Sequence, residues 1–171
     1  MTSILKVDQL QDSGGNAIIT SDGAGNITTP GITTGKVLQV VNGTVSGTVI
    51  SNSSTPSDTG LTASITPSST SSKVLIIVHQ NGLGKESNST FGSLFLQKNG
   101  SDLIRLEGAY GYTASTQQNY IGGAGCAYLD SPATTSSITY KTQFYSTNNT
   151  GDVLVNTNSA TSTICLMEIG A

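Results

Sequence analysis

Few side chains in this sequence are of types that carry chemistry, and their spacing gathers them into no familiar site. His79 is the single histidine and follows an apolar run. No paired His or CxxC spacing accompanies it, which removes the usual zinc-ligand patterns. The ten acidic residues are scattered singly, mostly in turn-forming stretches, where solvated turn residues are the ordinary reading. Asp102, Glu107 and Asp130 are the carboxylates that could converge as a glycosidase pair. Such a pair works in a groove with aromatic platforms, and this chain has no Trp and only 5 % aromatic residues. With no Ser-His-Asp arrangement recognisable around His79, the expectation is a protein without catalysis, cofactor or metal. Cys126 and Cys165 lie in small-residue or apolar runs typical of strands. Buried free thiols acting as small hydrophobes are the first reading and a disulfide the second. The aromatics with most scope are Tyr110, Tyr112 and Tyr120. They either pack at a rim or subunit contact, or stand exposed and stack on a sugar ring or partner surface.

Short strands must position these residues. Val74-Leu75-Ile76-Ile77-Val78 is the longest unbroken apolar run, β-branched at four of five positions, and reads as a core strand covered on both faces. Before it, Leu61, Ala63 and Ile65 alternate with Thr62, Ser64 and Thr66, the period of a strand with one face on a core. Residues 67–72, all Pro, Ser or Thr, connect the two. Val37 to Val45 reads as a further strand buried on two sides, and Val49-Ile50 as a short one. Residues 80–90 and 108–119 read as exposed loops. Asn99-Gly100 between the apolar runs 91–97 and 103–106 is the strongest short-range hairpin signal. Residues 120–129 form a Gly-rich strand, where small residues let another backbone come close. In 136–145, Ile138, Tyr140, Thr142 and Phe144 face one way, and Asn148 to Gly151 turns the chain back into 153–155. Thr163 to Ile169 closes it as a mostly apolar strand.

About eight strands with turn signals between them predict an all-β protein, an antiparallel β-sandwich or jelly-roll head over residues 36–171. Composition agrees: charged residues make up 10 %, there are 20 Gly, and Ser plus Thr reach roughly 30 %, so outward strand positions carry hydroxyls rather than charges. Residues 1–35 differ. Ile4, Leu5, Val7 and Leu10 form one apolar cluster, and Gly-rich turns then separate two short runs, 17–20 and the segment from Ile27. This short extended N-terminal arm cannot bury enough surface alone. A net charge of −3 and a pI near 4.8 leave no basic surface for a phosphate backbone, so nucleic acid is not an expected partner. No apolar stretch is long enough to cross a bilayer, and no signal-peptide layout opens the chain.

The run LTASITPS, a Ser/Thr loop, then SSKVLIIV resembles a segment that recurs in fibre and virion-surface proteins of tailed, particularly marine, bacteriophages. The start, SILKVDQLQDSGGNAIITSDGAGNIT, is similar to the opening of many such proteins. The resemblance covers most of the chain and carries no catalytic signature. It implies a viral structural protein of the virion surface, assembled in the host cytoplasm, with the arm as the end that joins other virion proteins or begins a shaft. Ile4, Leu5, Val7 and Leu10 are then the candidate attachment residues. The apolar last strand suits trimeric heads like the tumour-necrosis-factor-like and complement-type globular heads, an architectural analogy. It makes Ile164, Leu166, Met167 and Ile169 the candidate contacts of a homotrimer. A capsid decoration protein or short head fibre is the leading expectation. A small tail fibre whose head attaches to a host glycan or protein is the alternative, though only residues 1–35 are available for a shaft.

Overall fold

Alternating apolar and hydroxyl side chains build strands along most of the chain. The computed structural model describes residues 7–29, 36–149 and 151–170, and the chain divides into two units, Met1–Gly35 and Lys36–Gly170.

In the first unit, β1 (Gln9–Gln11), β2 (Ala17–Ser21) and β3 (Ile27–Thr28) form an antiparallel three-stranded sheet in sequence order. The two turns between them repeat ten residues apart as Asp-x-x-Gly-Asn. The Asp12 carboxylate accepts the N–H of Gly14 at 2.8 Å and of Asn16 at 2.9 Å, and Asp22 accepts those of Ala24 at 2.8 Å and Asn26 at 3.1 Å. Both Asn side chains donate back, at 3.0 Å from Asn16 and 2.6 Å from Asn26. These amides hold both carboxyls below their usual range. Leu10 pairs with Ile19, and Ile27 with Ser21, so Leu10, Ile19 and Ile27 share one face, which stays exposed with Val7 nearby. Ile4 and Leu5 lie outside the described residues.

The second unit is an antiparallel β-sandwich. It contains β4 (Val37–Val45), β5 (Val49–Ser51), β6 (Ser57–Ile65), β7 (Lys73–Glu86), β8 (Gly92–Lys98), β9 (Ser101–Tyr110), β10 (Gln118–Asp130), β11 (Ile138–Ser146), β12 (Val153–Val155) and β13 (Ser162–Ile169). One sheet has the order β4-β13-β7-β12-β5, with β10 on the other side of β7; the second has the order β6-β11-β8-β9. Leu61, Ala63 and Ile65 from β6 and Ile138 and Tyr140 from β11 pack against Val74, Ile76 and Val78 from β7 and Ile164 and Leu166 from β13. A second cluster of Leu83, Leu94, Tyr110, Phe144, Val153 and Val155 fills the other end.

The Asn99-Gly100 hairpin is present, with Lys98 opposite Ser101 and φ of 49° and 84° at the two turn residues. So is the alternation of β11, whose Ile138, Tyr140, Thr142 and Phe144 are all buried.

Four local expectations are corrected. Residues 80–86 are not loop but the second half of β7, paired with β10 and β12. Two of their polar side chains are buried and satisfied: Gln80 joins a network described below, and the Lys85 ammonium donates to the backbone carbonyls of Ser87 (2.9 Å), Thr113 (3.3 Å) and Thr116. Val74 to Val78 is not covered on both faces, because Ile77 on the outer side is 43 % exposed. β4 is an edge strand rather than one buried on two sides, with Val37, Leu38 and Val40 exposed. β9 runs on through Tyr110, inside the segment read as a loop.

Between the two apolar clusters lies a buried polar network that joins the sheets. Thr59 and Thr142 share a hydrogen bond of 2.6 Å, Thr142 donates to Gln80 Oε1 at 2.8 Å, and Gln80 Nε2 donates to Asn156 Oδ1 at 2.6 Å and Ser162 Oγ at 2.9 Å. Asn156, in the left-handed region at φ 57°, donates onward to the carbonyls of Gly47 (3.0 Å) and Thr59 (3.2 Å). Every member is satisfied, the condition under which such a network fixes one register rather than destabilising the core.

Candidate functional site

The outer face of the six-stranded sheet is built by strand alternation. Ile164, Leu166 and Glu168 of β13 point inward and are buried, which leaves Cys165, Met167 and Ile169 on the other side. The register sets Met167 beside Leu75, which faces Leu129 across β10 and has Val40 beyond Met167 on β4. The next row is Asn42, Cys165, Ile77 and Ala127. Val40 is 57 % exposed, Leu129 50 % and Ile77 43 %, so an apolar band with exposed members crosses four strands. Polar residues edge it, Lys73 at one end and His79 with Thr163 at the other.

Two of the four residues expected at a subunit contact do not reach the surface. Ile164 and Leu166 belong to the protomer's own core and offer no surface, whereas Met167 and Ile169 lie on the outer face. Val40, Leu75, Ile77 and Leu129 join them, unnoticed in the sequence because strands apolar on both sides hide which residues point outward. The two cysteines are free. Cys126 sits opposite inward-facing Val78 and packs on the core, while Cys165 sits opposite outward-facing Ile77, so they lie on opposite faces of the sheet and cannot pair. Burial pushes the Cys126 thiol up.

The three tyrosines separate. Tyr110 is only 1 % exposed and is no surface residue. Its ring lies over Gly92 on β8, where an added Cβ would come within 2.1 Å of it. Burial raises the Tyr110 phenol far above its ordinary range, and its hydroxyl has no hydrogen-bond partner among the described residues. Tyr112 is exposed and packs edge-on against Phe91 at 5.7 Å between ring centroids. Tyr120 is exposed on β10.

The carboxylates singled out from the sequence are each engaged separately. Asp130 accepts the Tyr140 hydroxyl at 2.6 Å and pairs with Lys98 at 2.7 Å; Asp102 accepts Gln97 at 2.7 Å; Glu107 caps the N–H of Gly108 at 2.8 Å. The carboxylate that the sequence reading passed over is Glu168, buried at the end of β13. It accepts Gln39 Nε2 at 2.6 Å, Ser68 N–H at 2.7 Å and Ser68 Oγ at 2.6 Å, tying the 67–72 connection to β4 and β13. Burial opposes its ionisation, but these donors outweigh it and hold the carboxyl down at about 2. Among the described residues no cluster of three or more His, Cys, Asp or Glu could hold a metal ion, and no helix is long and apolar enough to cross a membrane.

Compared with known proteins, the chain matches no family model and no curated protein.

Proposed function

We propose that this chain is a non-enzymatic structural protein of a tailed-phage virion. In this reading it is a homotrimeric capsid decoration protein or short head fibre, attached through its first unit and associated through the outer face of the head. The observation that carries the associating part is the uncovered apolar band of Val40, Leu75, Ile77, Leu129 and Met167 with its polar edges, the layout of an interaction surface rather than of solvent-facing strands. Further copies of the chain are its occupant. Strand order supports a jelly-roll head: with the short β5 and β12 set aside, the sheets run first-eighth-third-sixth and second-seventh-fourth-fifth. The exposed apolar face of the first unit, with Val7 and Leu10, suits attachment to another virion protein. The phage origin itself rests on the resemblance of the sequence.

A small tail fibre is the second reading, favoured by exposed Tyr112 and Tyr120, which a receptor-binding head would use. Gold-labelled antibody against the head, applied to intact particles, separates the two. Label over the capsid supports the first, label at the tail tip the second, and particles carrying no label contradict both.

A further inference from the structure

The ring of Tyr120 is held at two points and bare beyond them. It stands across from Gly84 on β7 and lies over that residue, where an added Cβ would come within 2.3 Å of the ring. Its hydroxyl donates to Glu86 Oε1 at 2.7 Å. Tyr120 is nevertheless 45 % exposed, and it lines a groove together with Gly122, Gly123, Asn81, Thr157 and Asn158. Thr157 and Asn158 belong to a short 3-10 turn, Thr157–Ser159, anchored by Thr157 Oγ1 donating to the Gly82 carbonyl at 3.0 Å. Asn158 is exposed in the left-handed conformation at φ 53°, and no hydrogen bond engages its side chain among the described residues. Asn81 Nδ2 is used, donating to the Thr161 carbonyl at 2.6 Å, which leaves its Oδ1 to accept.

We propose that this groove binds a neutral pyranose of a glycan. A sugar ring presents an apolar C–H face and a rim of hydroxyls. The fixed tyrosine face meets the first, and the side-chain amides of Asn81 and Asn158 meet the second, one as acceptor and one as donor and acceptor. No charged side chain lines the groove, which disfavours sialic acids and other anionic sugars. The site is separate from the middle of the associating band, since Asn81, its nearest residue on β7, lies four residues beyond Ile77, roughly 13 Å along the strand.

Saturation-transfer NMR on the purified full-length protein tests this with methyl glycosides of glucose, galactose, mannose and N-acetylglucosamine, and with a methyl sialoside as the anionic comparison. At least one neutral glycoside is expected to bind, with a Kd in the range of about 0.1–10 mM for one small ring. Asn158→Gly, which suits the local backbone, is expected to weaken binding at least about tenfold and Tyr120→Ala to abolish it. Ser115→Ala, at an exposed residue outside the groove, should stay within a few-fold of wild type. Circular dichroism of each variant ensures that folded protein is compared. Absence of binding by every neutral glycoside, preference for the sialoside, or binding unchanged in folded Asn158→Gly and Tyr120→Ala would each overturn the proposal. Because the readout is purified protein with free sugar, its failure leaves the virion assignment standing, and the reverse also holds.

Discussion

Single residues decide three outcomes. Gly100 sits at φ 84° in the hairpin between β8 and β9, and Gly100→Val forces a β-branched side chain into that region at about 1–3 kcal/mol. Its melting temperature at fixed protein concentration should fall by several degrees. Tyr110→Phe should do the opposite or nothing: the hydroxyl it removes is buried without a partner among the described residues, so stability should stay level or rise by about 1 kcal/mol in urea titration. Glu168 brings a pH dependence of known sign. Its folded value of about 2 lies below its ordinary 4.5, so its contribution is complete above pH 4.5 and is lost as pH falls through 2. Between those limits wild type should lose melting temperature more steeply than Glu168→Gln. The Asn-Gly turn was legible because its cause is local, two adjacent residues that tolerate positive φ. Tyr110 was not, because its burial depends on Gly92, which only strand pairing brings beneath the ring.

At the scale of elements, β7 shows where composition misleads. Its first half announced itself through Val74 to Val78, yet Gln80, Asn81, Lys85 and Glu86 made the second half look like a loop. Two of these residues are polar because they serve the interior: Gln80 links Thr142 to Asn156 and Ser162, and Lys85 ties down the segment after β9. A polar side chain with a buried partner dozens of residues away cannot be told from a solvated one by local pattern. Asn156→Ala removes the group that accepts from Gln80 and Ser162 and donates to Gly47 and Thr59. It should cost on the order of 3–5 kcal/mol in urea or thermal unfolding, since several buried groups lose their partner together. A loss below about 1 kcal/mol would mean that water or a rearranged neighbour replaces it. β11 and most of β6, with one face on the core and one on polar side chains, were legible for the same reason in reverse, though Ser57 and Asp58 at the start of β6 read as loop.

For the whole molecule, an all-β sandwich was readable from strand period and turn residues, whereas the pairing of the first and last long strands, β4 and β13, was not, because it joins residues more than a hundred positions apart. That pairing, with β7 and β10 beside it, creates the outer apolar band on which the proposed assembly rests. Replacing Ile77 by Lys in the middle of the band places a charge where a neighbouring copy would have to bury it, while the inward core of the protomer is untouched. The decisive measurement is the solution mass of the full-length protein by light scattering coupled to size exclusion, for wild type and Ile77→Lys at one concentration. Three protomers in wild type and one, still folded, in Ile77→Lys are expected. A wild-type monomer, or a trimer that Ile77→Lys leaves intact, would contradict the assignment of this face as the subunit contact.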